Sequence, residues 1–157
     1  MERLFRDRME YLKSPPSEGC FICEAAVAES GHQLTLYRGT RALAMLNKFP
    51  YNTGHIMVAP FEHCGDITGL QQQVVDEIMV LLTRCVGALK DEMQPQGFNI
   101  GANMGSAAGA GVPDHFHLHV VPRWGGDTNF MPVLASTKVL PETLEETYSR
   151  LAPHFQP

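Results

Sequence analysis

The sequence contains no stretch approaching the roughly 20 consecutive apolar residues of a helical membrane span, so no membrane partner is expected. It also lacks an excess of positive charge: 12 Lys and Arg against 17 Asp and Glu leave a formal net charge of −5. Tracking a nucleic-acid backbone needs a basic face, and the composition offers no electrostatic reason to expect nucleic acid as a partner. The first residues, Met1 to Arg8, mix both charge signs and have no apolar core of the kind a secretory signal requires. A cytoplasmic protein is therefore expected. Cysteine is scarce, with Cys20, Cys23, Cys64 and Cys85 alone, and in a reducing compartment these would not form a disulfide framework. No internal repeat, charge block or low-complexity stretch divides the chain. Its 157 residues fit one domain, which can bury about two-thirds of the surface that its unfolded form exposes.

The pattern of apolar residues predicts the elements. Leu4, Phe5, Met9 and Leu12 stand near helical spacing, and Pro15 and Pro16 end that short helix. Runs at Leu34 to Arg38, Ala42 to Leu46 and His55 to Ala59 read as strands joined by short connections, which favour antiparallel neighbours. The longest helix is predicted to begin near Thr68, where Thr68 and Gln71 have capping-box spacing. Leu70, Val74, Val75, Ile78, Leu81, Leu82, Cys85, Val86 and Leu89 trace its apolar stripe, so Cys85 reads as core. Phe98 to Ala102 and Phe116 to Pro122 are a fourth and a fifth strand, with the Gly- and Ala-rich loop Gly105 to Gly111 between them. Pro141 to Leu151 forms a last amphipathic helix, with Pro141 in its first turn. Helices inserted between strands in this way indicate an α+β domain around an antiparallel sheet.

Chemistry concentrates in His115-Phe-His117-Leu-His119. Three of the seven histidines alternate along one strand, so their imidazoles project from one face while Phe116, Leu118 and Val120 face the core. Two uses suit this arrangement. Facing imidazoles can bind a metal. Alternatively, a neutral imidazole whose second nitrogen is held protonated can act as a nucleophile, with its neighbours donating to phosphate oxygens. Cys20-Phe-Ile-Cys23 has a spacing common in zinc sites. Trp124, the one tryptophan, could stack on an adenine base or simply pack at a strand end, and His55 could be structural or touch a ligand.

With its flanks, the alternation resembles the signature of the histidine triad family. Ala44 to Pro60 resembles that family's segment from second strand to third, and Gly97 to Asn103 resembles the strand before the triad. Pro122-Arg-Trp-Gly-Gly-Asp-Thr-Asn-Phe130 is similar to the continuation in a bacterial branch that includes diadenosine tetraphosphate phosphorylases. The resemblance implies an α+β histidine triad fold over residues 1–157, with a five-stranded antiparallel sheet and one long helix. An N-terminal helix and linker at 1–18 and a C-terminal helix and tail at 141–157 complete it. It implies His117 as the nucleophile that becomes nucleotidylated, with His119 on the phosphate and leaving group. Asn47 matches a ribose contact, and Asn103 and Ser106 match the phosphate-holding region; Asn103 stands where some relatives carry Gln. Cys20, Cys23, His63 and His115 match the ligands of a structural zinc carried by some members, and no catalytic metal is needed. A homodimer is implied as well. The function expected is cleavage of dinucleoside polyphosphates by phosphorolysis or hydrolysis. Its rivals are a nucleoside phosphoramidate hydrolase of the same family, a nucleotide-binding protein without turnover, and a zinc protein whose histidines all ligate metal.

Overall fold

Short apolar runs bounded by turn-forming residues build the centre of the molecule. The computed structural model describes residues 4–6, 19–28, 33–128 and 137–156. In chain order the elements are β1 (Leu4–Arg6), α1 (Phe21–Val27), β2 (Thr35–Arg38), β3 (Ala42–Leu46) and β4 (Ile56–Pro60), then α2 (Gln72–Met93), β5 (Gly97–Gly101), β6 (Leu118–Arg123), β7 (Thr137–Val139) and α3 (Leu144–Leu151). Five strands form one antiparallel sheet in the order β2-β3-β4-β6-β5, the α+β architecture expected.

Side chains alternate across this sheet and give it two covered faces. Ala42, Ala44, Leu46, Ile56, Val58 and Val120, with Phe116 just before β6, share a core with Val74, Ile78, Leu81, Cys85 and Leu89 of α2. The whole predicted stripe of α2 lies in or against this cluster. Each fully buried Leu or Ile there contributes about 1.5–3 kcal/mol. Leu43, Met45 and Met57 of the opposite face pack on Ala25 and Ala26 of α1. His119 pairs across the sheet with Met57 of β4 and Gly101 of β5, and directly paired residues share a face. The triad side of β6 therefore looks toward α1 and away from α2.

One carboxylate joins α2 to the β2–β3 turn. Glu77 Oε1 accepts the backbone N–H groups of Thr40, Arg41 and Ala42 at 2.7, 2.9 and 3.2 Å. A Cβ on Gly39 would meet that carboxylate and push it from its three donors.

Several expected boundaries move. Leu4–Arg6 is a strand paired antiparallel with Thr137–Val139 and not the start of a helix, because a partner distant in sequence supplies its ladder; residues 7–18 lie outside the described residues. The long helix starts at Gln72 and not near Thr68. Asp66 accepts the Thr68 N–H at 2.8 Å and caps a separate 3-10 turn over Ile67–Gly69, after which Leu70 and Gln71 are extended. Its end is as expected, with Gln94 left-handed at φ 49° just before Pro95. β6 begins two residues later than expected, at Leu118. In the last helix Thr143 and Glu146 form a reciprocal capping box, which leaves Pro141 outside the first turn. No helix among the described residues is long and apolar enough to cross a membrane.

Candidate active site and metal centre

Four sulfur and nitrogen donors converge where α1 meets the sheet. Cys20 is the N-cap of α1 and Cys23 lies in its first turn, and a three-residue spacing turns both thiols to one side. The Arg38 guanidinium donates to the Ala25 carbonyl at 2.7 Å and holds α1 against β2. His63 follows β4 and His115 precedes β6. Cys20 Sγ lies 3.3 Å from His115 Nδ1, and Cys23 Sγ lies 3.2 Å from His63 Nδ1 and 3.4 Å from His115 Nδ1. All four donor atoms fall within 4.8 Å of one another. Tetrahedral zinc with bonds of about 2.0–2.3 Å separates its ligand atoms by about 3.3–3.8 Å, so this set fits zinc. His115 Nε2–H donates to the Pro60 carbonyl at 2.9 Å, which leaves Nδ1 with the lone pair that a metal needs. Burial, together with Cys20 and Glu24 nearby, raises the Cys23 thiol above its ordinary value. A dication among these atoms would reverse that balance and hold the thiolates.

His117 comes next on the same side. Its Nδ1–H donates to the backbone carbonyl of His115 at 2.8 Å, so a neutral His117 carries its lone pair on Nε2. The ring is 4 % exposed. Burial lowers its pKa below the usual histidine value, an effect partly offset by the hydrogen bond to His115. The His119 ring stands nearly perpendicular to it, with centroids 4.8 Å apart. His119 Nδ1 meets His55 Nε2 at 2.9 Å, and the Tyr51 N–H donates to His55 Nδ1 at 3.0 Å.

The pattern therefore contains a buried imidazole whose neutral form has its lone pair on Nε2, a second imidazole beside it, and a set of four donors including the first triad histidine that could hold a metal ion. The chain matches the family model described as "HIT domain" over residues 30–126. It belongs to the HIT family. Among HIT relatives, a protein named AP-4-A phosphorylase from Mycobacterium tuberculosis is 40% identical over 119 residues, which cover 76% of this chain and 61% of that protein. The match thus spans about six-tenths of that relative's length. An uncharacterized HIT-like protein of Saccharolobus solfataricus is 30% identical over 112 residues, 71% of this chain and 79% of that protein. Among solved structures, a zinc-bound histidine triad family protein from Mycobacterium smegmatis superposes with a TM-score of 0.69 at 28% identity. That alignment covers 87% of this chain and 92% of its own. A hypothetical histidine triad nucleotide-binding protein from Sulfolobus tokodaii gives 0.67 at 26% identity, covering 86% and 88%.

The HIT geometry brings together His115, His117 and His119 and, separately, Cys20, Cys23, His63 and His115. Asn47 opens the β3–β4 loop, where its Oδ1 accepts the Phe49 N–H at 2.8 Å in an Asx-type turn. Asn103 and Ser106 lie on the loop from β5 to the triad, where Gly105 and Gly109 flank a 3-10 turn with positive φ of 78° each. Trp124 lies elsewhere. Its indole N–H donates to the Met93 carbonyl at the end of α2, 3.3 Å away. Strand alternation likewise turns this position to the α2 side.

Three features went unassigned in the sequence. His55 closes onto His119 although 64 positions separate them. Asp127 takes Arg123 in a two-point pair, Nε at 2.6 Å and a terminal nitrogen at 2.7 Å, which holds its carboxyl well below the usual carboxylate range. Asn52 then donates to Asp127 at 2.8 Å and to the Pro122 carbonyl at 3.1 Å, tying the β3–β4 loop to the turn after β6. The Arg-x-x-x-Asp spacing was the one local signal for this link.

Proposed function

We propose that this chain is a nucleotidyl-transfer enzyme that cleaves dinucleoside polyphosphates, with diadenosine tetraphosphate as its foremost substrate. The observation that carries this reading is the hydrogen bond from His117 Nδ1–H to the His115 carbonyl, which leaves Nε2 as a neutral nucleophile. In the first step Nε2 attacks the α-phosphorus. An N–P bond forms, the P–O bond to the leaving nucleotide breaks, and its electron pair departs with that oxygen. ATP leaves and adenylyl-His117 remains. Phosphate attacking the phosphorus of this intermediate breaks the N–P bond, returns its electron pair to Nε2 and gives ADP; water attacking there breaks the same bond, loses a proton and gives AMP. Phosphate as acceptor is favoured by the 40% identity to a protein named AP-4-A phosphorylase, and by the resemblance of the Pro122 to Phe130 sequence to the branch that includes such phosphorylases.

Asn47, held through Oδ1, turns its amide nitrogen to a ribose oxygen. Asn103, Ser106 and the glycines around them bring backbone N–H groups to the phosphates. Cys20, Cys23, His63 and His115 would hold a structural zinc, which would clamp α1 to the segment that presents His117. The working protein is a cytoplasmic homodimer.

The deciding experiment is product analysis on diadenosine tetraphosphate, with and without phosphate, using His117→Ala as control. ADP plus ATP that forms only with phosphate is the expected result. AMP plus ATP in both conditions would make the enzyme a hydrolase. Retention of appreciable turnover by His117→Ala would sink the nucleophile assignment.

A further inference from the structure

We propose that Trp124 forms one wall of a second binding site, on the side of the sheet opposite the triad, that takes an uncharged purine nucleoside. The site stands apart from His117 and does not depend on the reaction proposed above.

The turn after β6 and the β3–β4 loop meet the end of α2 and one face of α3 around a cavity of about 320 Å³. That volume suits a ligand of nucleoside size. Trp124, half-buried, lines it together with Met93 and with Val139, which is 47 % exposed at the rim. The indole N–H is already engaged by the Met93 carbonyl, so what Trp124 presents to a ligand is the surface of its ring. Hydrogen-bonding capacity stands beside this ring. Asn52 and Thr53 belong to the wall, and both are buried. The two amide hydrogens of Asn52 go to the Pro122 carbonyl and to Asp127, which leaves its Oδ1 as an acceptor. The Thr53 hydroxyl is buried with no partner among the described residues. Arg150 uses three of its five N–H groups, on the Glu92 carboxylate, the Glu92 carbonyl and Glu142, and keeps two as donors.

An aromatic ring flanked by an acceptor and by donors matches a purine base, whose edge carries both kinds of group beside a stacking face. Charge then selects against a phosphate. The wall holds two carboxylates, Asp127 and Glu142, and one guanidinium, Arg150. Asp127 is paired with Arg123, and Arg150 with Glu92 and Glu142, so no cation of the wall is left unpaired to meet an anion. A polyphosphate would bring negative charge to these carboxylates, whereas a nucleoside brings none. The order of preference is therefore the reverse of that at a site for nucleotidyl transfer: nucleoside first, monophosphate next and triphosphate last.

The test follows the emission of Trp124, the single tryptophan of the chain, while the full chain is titrated with adenosine, guanosine, AMP and ATP. At least one of the two nucleosides is expected to quench it saturably with a Kd of order 0.1 mM, its monophosphate more weakly and ATP not at all. Val139→Tyr, which enlarges an exposed side chain at the rim, should abolish the quenching. Thr53→Val, which removes only the hydroxyl, should weaken binding about five-fold. Melting curves check that both variants fold; should Thr53→Val not, Val139→Tyr decides, since its side chain starts at the surface. No saturable change with either nucleoside up to about 1 mM would overturn the site. So would ATP that quenches as tightly as the nucleosides, or quenching that survives undiminished in every folded variant. Nucleosides carry no scissile phosphate, so this titration and the turnover of diadenosine tetraphosphate stand or fall separately.

Discussion

At the scale of single residues, His117 is governed by two opposed influences. Burial disfavours its charged form, and the hydrogen bond to the His115 carbonyl partly restores it, with a net lowering of the pKa. A nucleophile must be neutral, so the working form should persist below the ordinary histidine value of about 6.5. The acid limb of kcat/KM on diadenosine tetraphosphate should accordingly fall below that pH; a limb at or above it would show that the ring is less desolvated than the structure has it. The alternation His115, His117, His119 was legible because a period of two puts the three on one face. The partnership of His119 with His55 was not, since it depends on β4 and β6 lying side by side.

At the scale of elements, Glu77 shows a stabilising contact that no local pattern announced. On the helix it reads as one more polar residue, yet its carboxylate satisfies three backbone donors of the β2–β3 turn. Glu77→Ala should cost about 2 kcal/mol in chemical denaturation, and Glu77→Gln, which keeps an acceptor, about half as much. A neutral result for Glu77→Ala would mean that water replaces the carboxylate without loss. The start of α2 was misplaced because Thr68 and Gln71 have capping spacing, but Asp66 captures the Thr68 amide first. The candidate metal site belongs to this scale as well, since its four donors come from the start of α1 and from the sheet side, and a zinc ion held there would join the seven residues of α1 to the sheet. Freshly purified protein should carry about one zinc per chain by metal analysis, and Cys20→Ser should lose it and melt at lower temperature. Metal-free wild type with unchanged melting would remove zinc from the account.

At the scale of the whole molecule, β5 is the outermost strand of the sheet on the triad side of the order, and Ile100 is 47 % exposed on it. An open edge with an apolar side chain is a site for pairing with another chain, and two β5 edges meeting about a two-fold axis would extend the sheet across both copies. Sedimentation velocity should give the mass of a dimer, and Ile100→Lys should shift it toward monomer. A wild type that sediments as a monomer at all concentrations would contradict the homodimer.

The sequence by itself determined the class of fold, the stripe of α2 and the concentration of imidazoles, because each is written in a local period: two for strands, about 3.6 for helices. It also set Cys20 and Cys23 at a spacing common in zinc sites. Only the tertiary structure decided that His63 and His115 meet those thiols, that His55 reaches His119, that Trp124 turns to α2 and that Leu4–Arg6 pairs with Thr137–Val139. These depend on which strands become neighbours. That choice comes from burying both faces of the sheet at once, a property of the whole chain that no short window of residues contains.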